Sequence, residues 1–160
     1  MKTDNLFDID GRVAVMTGAC GVLGETIAGY FAAQGCKVVL LDLERTADKG
    51  LKIVSEIESG GGAAMFLPTD VLDENVLKAN LKTIMDEYGR IEILLNAAGG
   101  NMDKANVRPD QGIDELDIDA MKRVCELNIF GTVIPTKVFS KPMIAAAKGS
   151  VINFCSMSSF

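Results

Sequence analysis

Histidine is absent from the 160-residue chain, which removes Ser-His-Asp and Cys-His catalysis and most zinc sites from consideration. The four cysteines, Cys20, Cys36, Cys125 and Cys155, form no Cys-x-x-Cys pair, and the acidic stretch from Met1 to Asp10 lacks the apolar core of a secretory leader. Buried free thiols in a reducing compartment are therefore expected. Long apolar runs are missing too. The longest low-charge region, Val13 to Cys36, is broken by Glu25, Gln34 and five glycines, a poor membrane span. Positive charge is short: 16 Lys and Arg against 22 Asp and Glu leave a net charge of −6, which repels phosphate backbones and anionic headgroups. The expectation is a cytoplasmic protein with no metal, no nucleic-acid partner and no membrane partner.

What remains is ordinary globular composition, with 48% hydrophobic and 24% charged residues and glycine enriched to 16, against a usual share of about 7%. The length suits one domain over residues 1–160 that buries about two-thirds of its unfolded surface. Short apolar runs alternate with helical periods. Arg12 to Thr17 reads as a buried strand; Leu23, Ile27, Tyr30 and Phe31 then recur at helical spacing until Gly35, suited to a left-handed cap. Lys37 to Asp42 is a second strand, followed by a helix through Ala47, Leu51, Val54 and Ile57 that Gly60-Gly61-Gly62 stops. Ala63 to Leu67 is a third strand ending at Pro68, and Asp73 can cap a helix with Leu77, Leu81, Ile84 and Tyr88 on one face and Gly89 at its end. Ile91 to Asn96 makes a fourth strand. A polar connection to Asp117 precedes a long helix from Ile118 to Ala147, which Pro135 should bend, and Ser150 to Cys155 is a fifth strand. Strands without polar alternation, separated by helices, predict a parallel sheet covered on both faces, a doubly wound Rossmann-type α/β fold.

The first strand runs into Thr17-Gly18-Ala19-Cys20-Gly21-Val22-Leu23-Gly24 and then a helix. In that context glycines let the backbone approach a pyrophosphate at a helix N-terminus; the plainer alternative is a tight strand-to-helix turn. Asp42, ending the second strand, stands where a carboxylate accepts hydrogen bonds from a ribose diol, although a helix-capping Asp would look the same. With the glycine loop upstream the ribose role is favoured. A 2′-phosphate would meet that carboxylate with only Arg45 near, so NAD is preferred over NADP.

These residues resemble the short-chain dehydrogenase/reductase family, over almost the whole chain from Gly11 to Ser156. Thr17 to Gly24 is similar to the family's glycine motif, with Val22 where the motif has its middle glycine. Asp70-Val71 resembles the acidic pair that holds the adenine ring. Asn96-Ala97-Ala98-Gly99 is similar to the Asn-Asn-Ala-Gly segment that lines the cofactor and steadies the sheet, with Ala97 in place of the second asparagine. The resemblance further implies that Asn128 organises a proton-relay water and that Ser156 hydrogen-bonds the substrate oxygen, Ser158 and Ser159 being competitors. It implies hydride transfer between a nicotinamide cofactor and a secondary alcohol or ketone, a small-molecule substrate, and a homo-oligomer when intact. The forms Ala97-Ala98-Gly99-Gly100-Asn101 and Val22-Leu23 resemble members acting on sugar acids, of the fructuronate reductase or D-mannonate oxidoreductase type.

The family's acid/base pair, a tyrosine followed four residues later by a lysine, has no counterpart here: Gln34 follows Tyr30 and Glu92 follows Tyr88 at that spacing. The expectation is a fragment that ends inside the active-site segment and is inactive alone, the alternative being a shortened, non-catalytic dinucleotide-binding module. An S-adenosylmethionine-dependent methyltransferase would share the glycine loop and Asp42, but Asn96, Asn128 and Ser156 argue against it. The connection from Gly99 to Asn128 is longer than the family leads one to expect, and reads equally as a rim of the site or a solvated loop.

Overall fold

The computed structural model describes residues 8–155. Five parallel strands form one sheet in the order β3-β2-β1-β4-β5, with β1 (Val13–Thr17) at its centre, flanked by β2 (Lys37–Asp42) and β4 (Ile93–Asn96). β3 (Ala63–Pro68) and β5 (Ser150–Asn153) are the edges. This is the doubly wound arrangement predicted from the alternation of strand and helix.

Side chains of successive strand residues point to opposite faces, so each central strand feeds two cores. Ala14, Met16, Val38, Leu40, Ile93 and Leu95 pack beneath α1 (Val22–Ala33) and α2 (Ala47–Ser59). Val13, Val15, Val39, Leu41 and Leu94 meet the other layer, where α3 (Glu74–Tyr88) supplies Leu77 and Ile84 and the last helix supplies Val138 and Phe139. All of β1 and Val38–Leu41 of β2 are buried on both faces, which is why these segments carry apolar residues at consecutive positions.

Local punctuation follows the sequence. Asp73 accepts from the Asn75 and Val76 backbone N–H groups at 2.8 and 3.3 Å and starts α3, while Gly89, at φ 70°, ends it in the left-handed region. The long helix is where expectation and structure part. Instead of one helix from Ile118 to Ala147 bent at Pro135, there are α4 (Ile118–Cys125), a wide π turn at Glu126–Phe130 and α5 (Gly131–Ala145), with Pro135 and Pro142 both inside α5. The register breaks ahead of the proline, the Gly131 N–H reaching back five residues to Glu126. Threonine hydroxyls serve carbonyls near the break: Thr132 donates to Asn128 O at 3.3 Å and Thr136 to Thr132 O at 2.8 Å.

The fifth strand is shorter than expected, ending at Asn153, and all four of its residues are exposed. Two thiols also differ from expectation. Cys20 and Cys36 are buried, but Cys125, at the end of α4, and Cys155, beyond the β5 edge, are exposed because nothing in the described chain covers those positions. No helix among the described residues is long and apolar enough to cross a membrane.

Candidate cofactor site

The carboxyl ends of β1, β2 and β4 converge on one side of the sheet, and the loops leaving them must pass close to one another. Gly18 has φ +64°, and a Cβ there would lie 2.7 Å from Ala97 O and Ala98 N. Only glycine lets the β1 exit slide beneath the β4 exit. Thr17, fully buried, fixes that crossing, its hydroxyl oxygen accepting from Ala97 N–H at 3.2 Å and Ala98 N–H at 3.1 Å. Gly21 N–H closes the loop onto Gly18 O at 3.1 Å and α1 begins at the next residue.

Beside this loop lies a cavity of about 510 Å³, within the range of small-molecule sites. Its lining includes Gly18 and Gly21 from the first loop, Asp42 from β2, and Asp70 and Val71 after β3. Ala97, Ala98 and Gly99 line its β4 side. Asp42 is already engaged: Oδ2 accepts from Cys20 N–H and Oδ1 from Leu43 N–H, both at 2.8 Å. Each oxygen keeps a lone pair for a further donor. Asp70 is exposed and turns its Oδ1 to Leu72 N–H at 3.0 Å, while Val71 is buried against Gly131 at the start of α5.

The other residues singled out from the sequence stand around the cavity. Thr17 and Asn96 lie behind its wall. Gly24 is buried in the first turn of α1, whereas Val22 and Leu23, the first two residues of that helix, stand 83% and 62% exposed. Asn96 is buried and donates from Nδ2 to Thr136 Oγ1 at 2.9 Å and to Asn153 Oδ1 at 2.8 Å. Its Oδ1 meets no donor among the described residues. Ser156 lies outside the described residues.

Asn128 sits in the π turn with its amide committed to backbone. Oδ1 accepts from Gly100 N–H at 3.2 Å, and Nδ2 donates to Gly100 O at 2.7 Å and to Val124 O at 2.8 Å. Both amide hydrogens are used. The side chain therefore latches the start of the polar connection to the helix, next to Leu127, which lines the cavity. Farther along, that connection folds on itself in two short 3₁₀ turns, Asp103–Ala105 and Ile113–Glu115, and Asp117 caps α4 by accepting from Ala120 N–H at 2.9 Å. That hydrogen bond, above all, holds the Asp117 carboxyl below its ordinary value.

Sequence reasoning missed Cys20, Leu41, Leu43, Thr46 and Thr69 as lining residues. Leu41 and Leu43 flank Asp42, and their apolar character marks strand core as readily as cavity wall. Burial, reinforced by the charge of Asp42, raises the Cys20 thiol, and burial pushes Cys36 up to about 11; neither has the character of an activated nucleophile. Among the described residues no three His, Cys, Asp or Glu side chains come together as metal ligands do. A glycine crossing, a carboxylate with spare lone pairs at a strand end and a helix N-terminus beside a cavity make a donor and acceptor set that fits a dinucleotide.

The short chain dehydrogenase family profile matches residues 12–160. Oxidoreductase UxuB of Bacillus subtilis strain 168, uncharacterized in its activity, is 33% identical over 161 residues, covering 96% of this chain and 57% of its own length. D-threitol dehydrogenase of Mycolicibacterium smegmatis is 29% identical over 156 residues, with coverage of 98% and 56%. Among solved structures, a candidate D-mannonate oxidoreductase from Haemophilus influenza with bound NAD superposes at a TM-score of 0.86 and 31% identity, over 96% of this chain and 57% of that one. The chain thus spans a little over half the length of the relatives it matches.

Proposed function

The chain belongs to the short-chain dehydrogenase family, and from that footing we propose that it is the dinucleotide-binding part of an NAD-dependent oxidoreductase acting on a secondary alcohol or ketone. The observation that carries the reading is Asp42, a carboxylate at the rim of the cavity with one lone pair free on each oxygen, placed beside a glycine loop. In this reading its free lone pairs accept from the adenosine ribose diol and its charge repels a 2′-phosphate. The loop Gly18–Gly21 and the start of α1 receive the pyrophosphate. Asp70 and Val71 flank the adenine, and Ala97, Ala98 and Gly99 line the cofactor, while behind it Thr17 holds the loop crossing and Asn96 ties β4 to α5 and β5. When bound, the nicotinamide supplies or accepts the hydride.

At the reacting end, Ser156 orients the substrate oxygen and Asn128 holds the wall beside it, its Oδ1 retaining one lone pair for the relay. The proposed substrate class is a small sugar acid or polyol, in keeping with the names carried by the Haemophilus and Mycolicibacterium relatives. Fluorescence titration tests the cofactor. NADH should bind more tightly than NADPH, and Asp42→Ala should weaken NADH by about 1–3 kcal/mol; tighter NADPH binding by the wild type would sink the assignment.

A second reading, a dinucleotide-binding module without turnover, is favoured by one observation: neither Tyr30 nor Tyr88 has a lysine four residues on. A positioned general acid or base contributes roughly 10²–10⁴ in rate, so the 160-residue chain should oxidise NADH with ketones negligibly. Robust turnover by the purified chain would refute this second reading.

A further inference from the structure

We infer that Asp42 is also a positioning residue for the glycine loop: its carboxylate ties Cys20 to the end of β2 and so holds the loop in the shape that admits a pyrophosphate. The identity of the ligand rests on the reading above; the tether rests on geometry. β1 and β2 pair in register up to Thr17 and Leu41. Past Thr17 the chain leaves the strand, yet two more rungs follow. Ala19 N–H donates to Leu41 O at 3.4 Å, and Cys20 N–H donates to Asp42 Oδ2 at 2.8 Å. The acceptor of that last rung is a side chain, and its other oxygen takes Leu43 N–H at 2.8 Å. Two backbone donors from different segments therefore fix the carboxylate, and a charged acceptor makes each bond stronger than a neutral one. Gly21 follows Cys20 directly and precedes the first residue of α1, so the position of Cys20 sets where the first helical N–H groups point.

Val22, the first residue of α1, stands 83% exposed and clear of the crossing, so its side chain leaves the tethered loop undisturbed. Removing the carboxylate therefore weakens the site at the pyrophosphate as well as at the ribose, and does not by itself create a site for NADPH.

The test compares the wild-type chain with Asp42→Ala and Asp42→Asn by amide hydrogen exchange and by titration with inorganic pyrophosphate and with NADH. Both substitutions remove the charge, but only asparagine keeps an oxygen within reach of Cys20 N–H, so the contrast between the two variants isolates the tether. The Cys20 amide should exchange about tenfold faster in Asp42→Ala than in Asp42→Asn, with Val39 and Leu40 amides unchanged as the sign of an intact fold. Pyrophosphate affinity should be about tenfold lower in the alanine variant than in the asparagine variant, and NADH should weaken in both. Equal Cys20 exchange and equal pyrophosphate affinity in the two variants overturn the tether. A wild-type chain that binds neither NADH nor pyrophosphate overturns the dinucleotide reading instead, and the Cys20 exchange ratio still decides the tether.

Discussion

At one edge of the sheet β3 lies largely under α2 and stops at Pro68; at the other, every residue of β5 faces solvent. The difference begins in single residues. Gly50 on α2 has no side chain, and Phe66 of β3 fills the space where a Cβ would be, so helix and edge strand interlock. Nothing described rests on β5 in that way, and Val151, Ile152 and Phe154 remain 40%, 45% and 41% exposed. Proline at the β3 end removes an edge donor, whereas Ser150 to Asn153 carries neither proline nor charge to discourage pairing. The half of the sheet that holds most of the cavity wall is therefore closed by its own packing, and the half that ends in β5 is not.

The largest test of this contrast pairs two apolar strand residues. Leu40→Ala, in the buried β2, should cost about 2–5 kcal/mol, whereas Ile152→Ala should change stability by no more than about 0.5 kcal/mol. Urea unfolding measures both, and similar costs would mean that β5 is covered after all. Next, Gly50→Val should destabilise by roughly 1–3 kcal/mol through overpacking against Phe66, leaving amide exchange in β5 unchanged; an altered β5 would show that the two halves are not independent.

A finer test reads the edge itself. Ser150 N–H donates to Glu92 O at 2.8 Å and Phe154 N–H to Asn96 O at 3.1 Å. By alternation, the amides of Val151 and Asn153 point outward. They should exchange far faster than the amides of Val38 to Leu41, and Ile152→Lys should suppress any self-association of the chain without loss of stability. Uniform strong protection across both strands in a monomer would contradict the strand order.

The smallest expected effect concerns the ion pair that joins α3 to α5. Lys137, with Lys78, hydrogen-bonds Glu74 and lowers its carboxyl from the ordinary 4.5 to about 2. Because the folded value is the depressed one, the pairing stabilises the protein above about pH 4.5 and is lost as pH falls through about 2. Thermal unfolding of wild type and Glu74→Gln should differ slightly at neutral pH and low salt and converge below pH 2; a difference that persists there would deny the ion pair its role.

The contrast also divides what the amino acids announced from what they concealed. The strands and most helix ends were legible because their causes are local: apolar runs at Val38–Leu41, an Asp73 cap, a glycine at Gly89. Asp42 and the Gly18–Gly21 loop were legible for the same reason, since a strand end and a helix start bracket them. The π turn was not. It coincides with the meeting of Asn128 and Gly100, partners far apart in sequence, while Pro135, the obvious local signal, drew attention downstream of the break. Cavity residues such as Leu41 and Thr69 were equally silent, because a buried strand end and a ligand wall call for the same apolar or small side chains.

Burial normally decides how a strand slides against its neighbour, since a shift of one residue turns every side chain to the wrong face. β5 has little burial to enforce that choice. Asn96 and Asn153 stand opposite each other in the β4–β5 pairing, with Asn96 Nδ2 donating to Asn153 Oδ1 at 2.8 Å. Slippage by one residue would carry Asn153 to the opposite face and leave the buried Asn96 amide with Thr136 as its one acceptor among the described residues. The two amides thus act as a pin through the sheet at its least protected seam, replacing by one directed bond the alignment that greasy contact provides elsewhere.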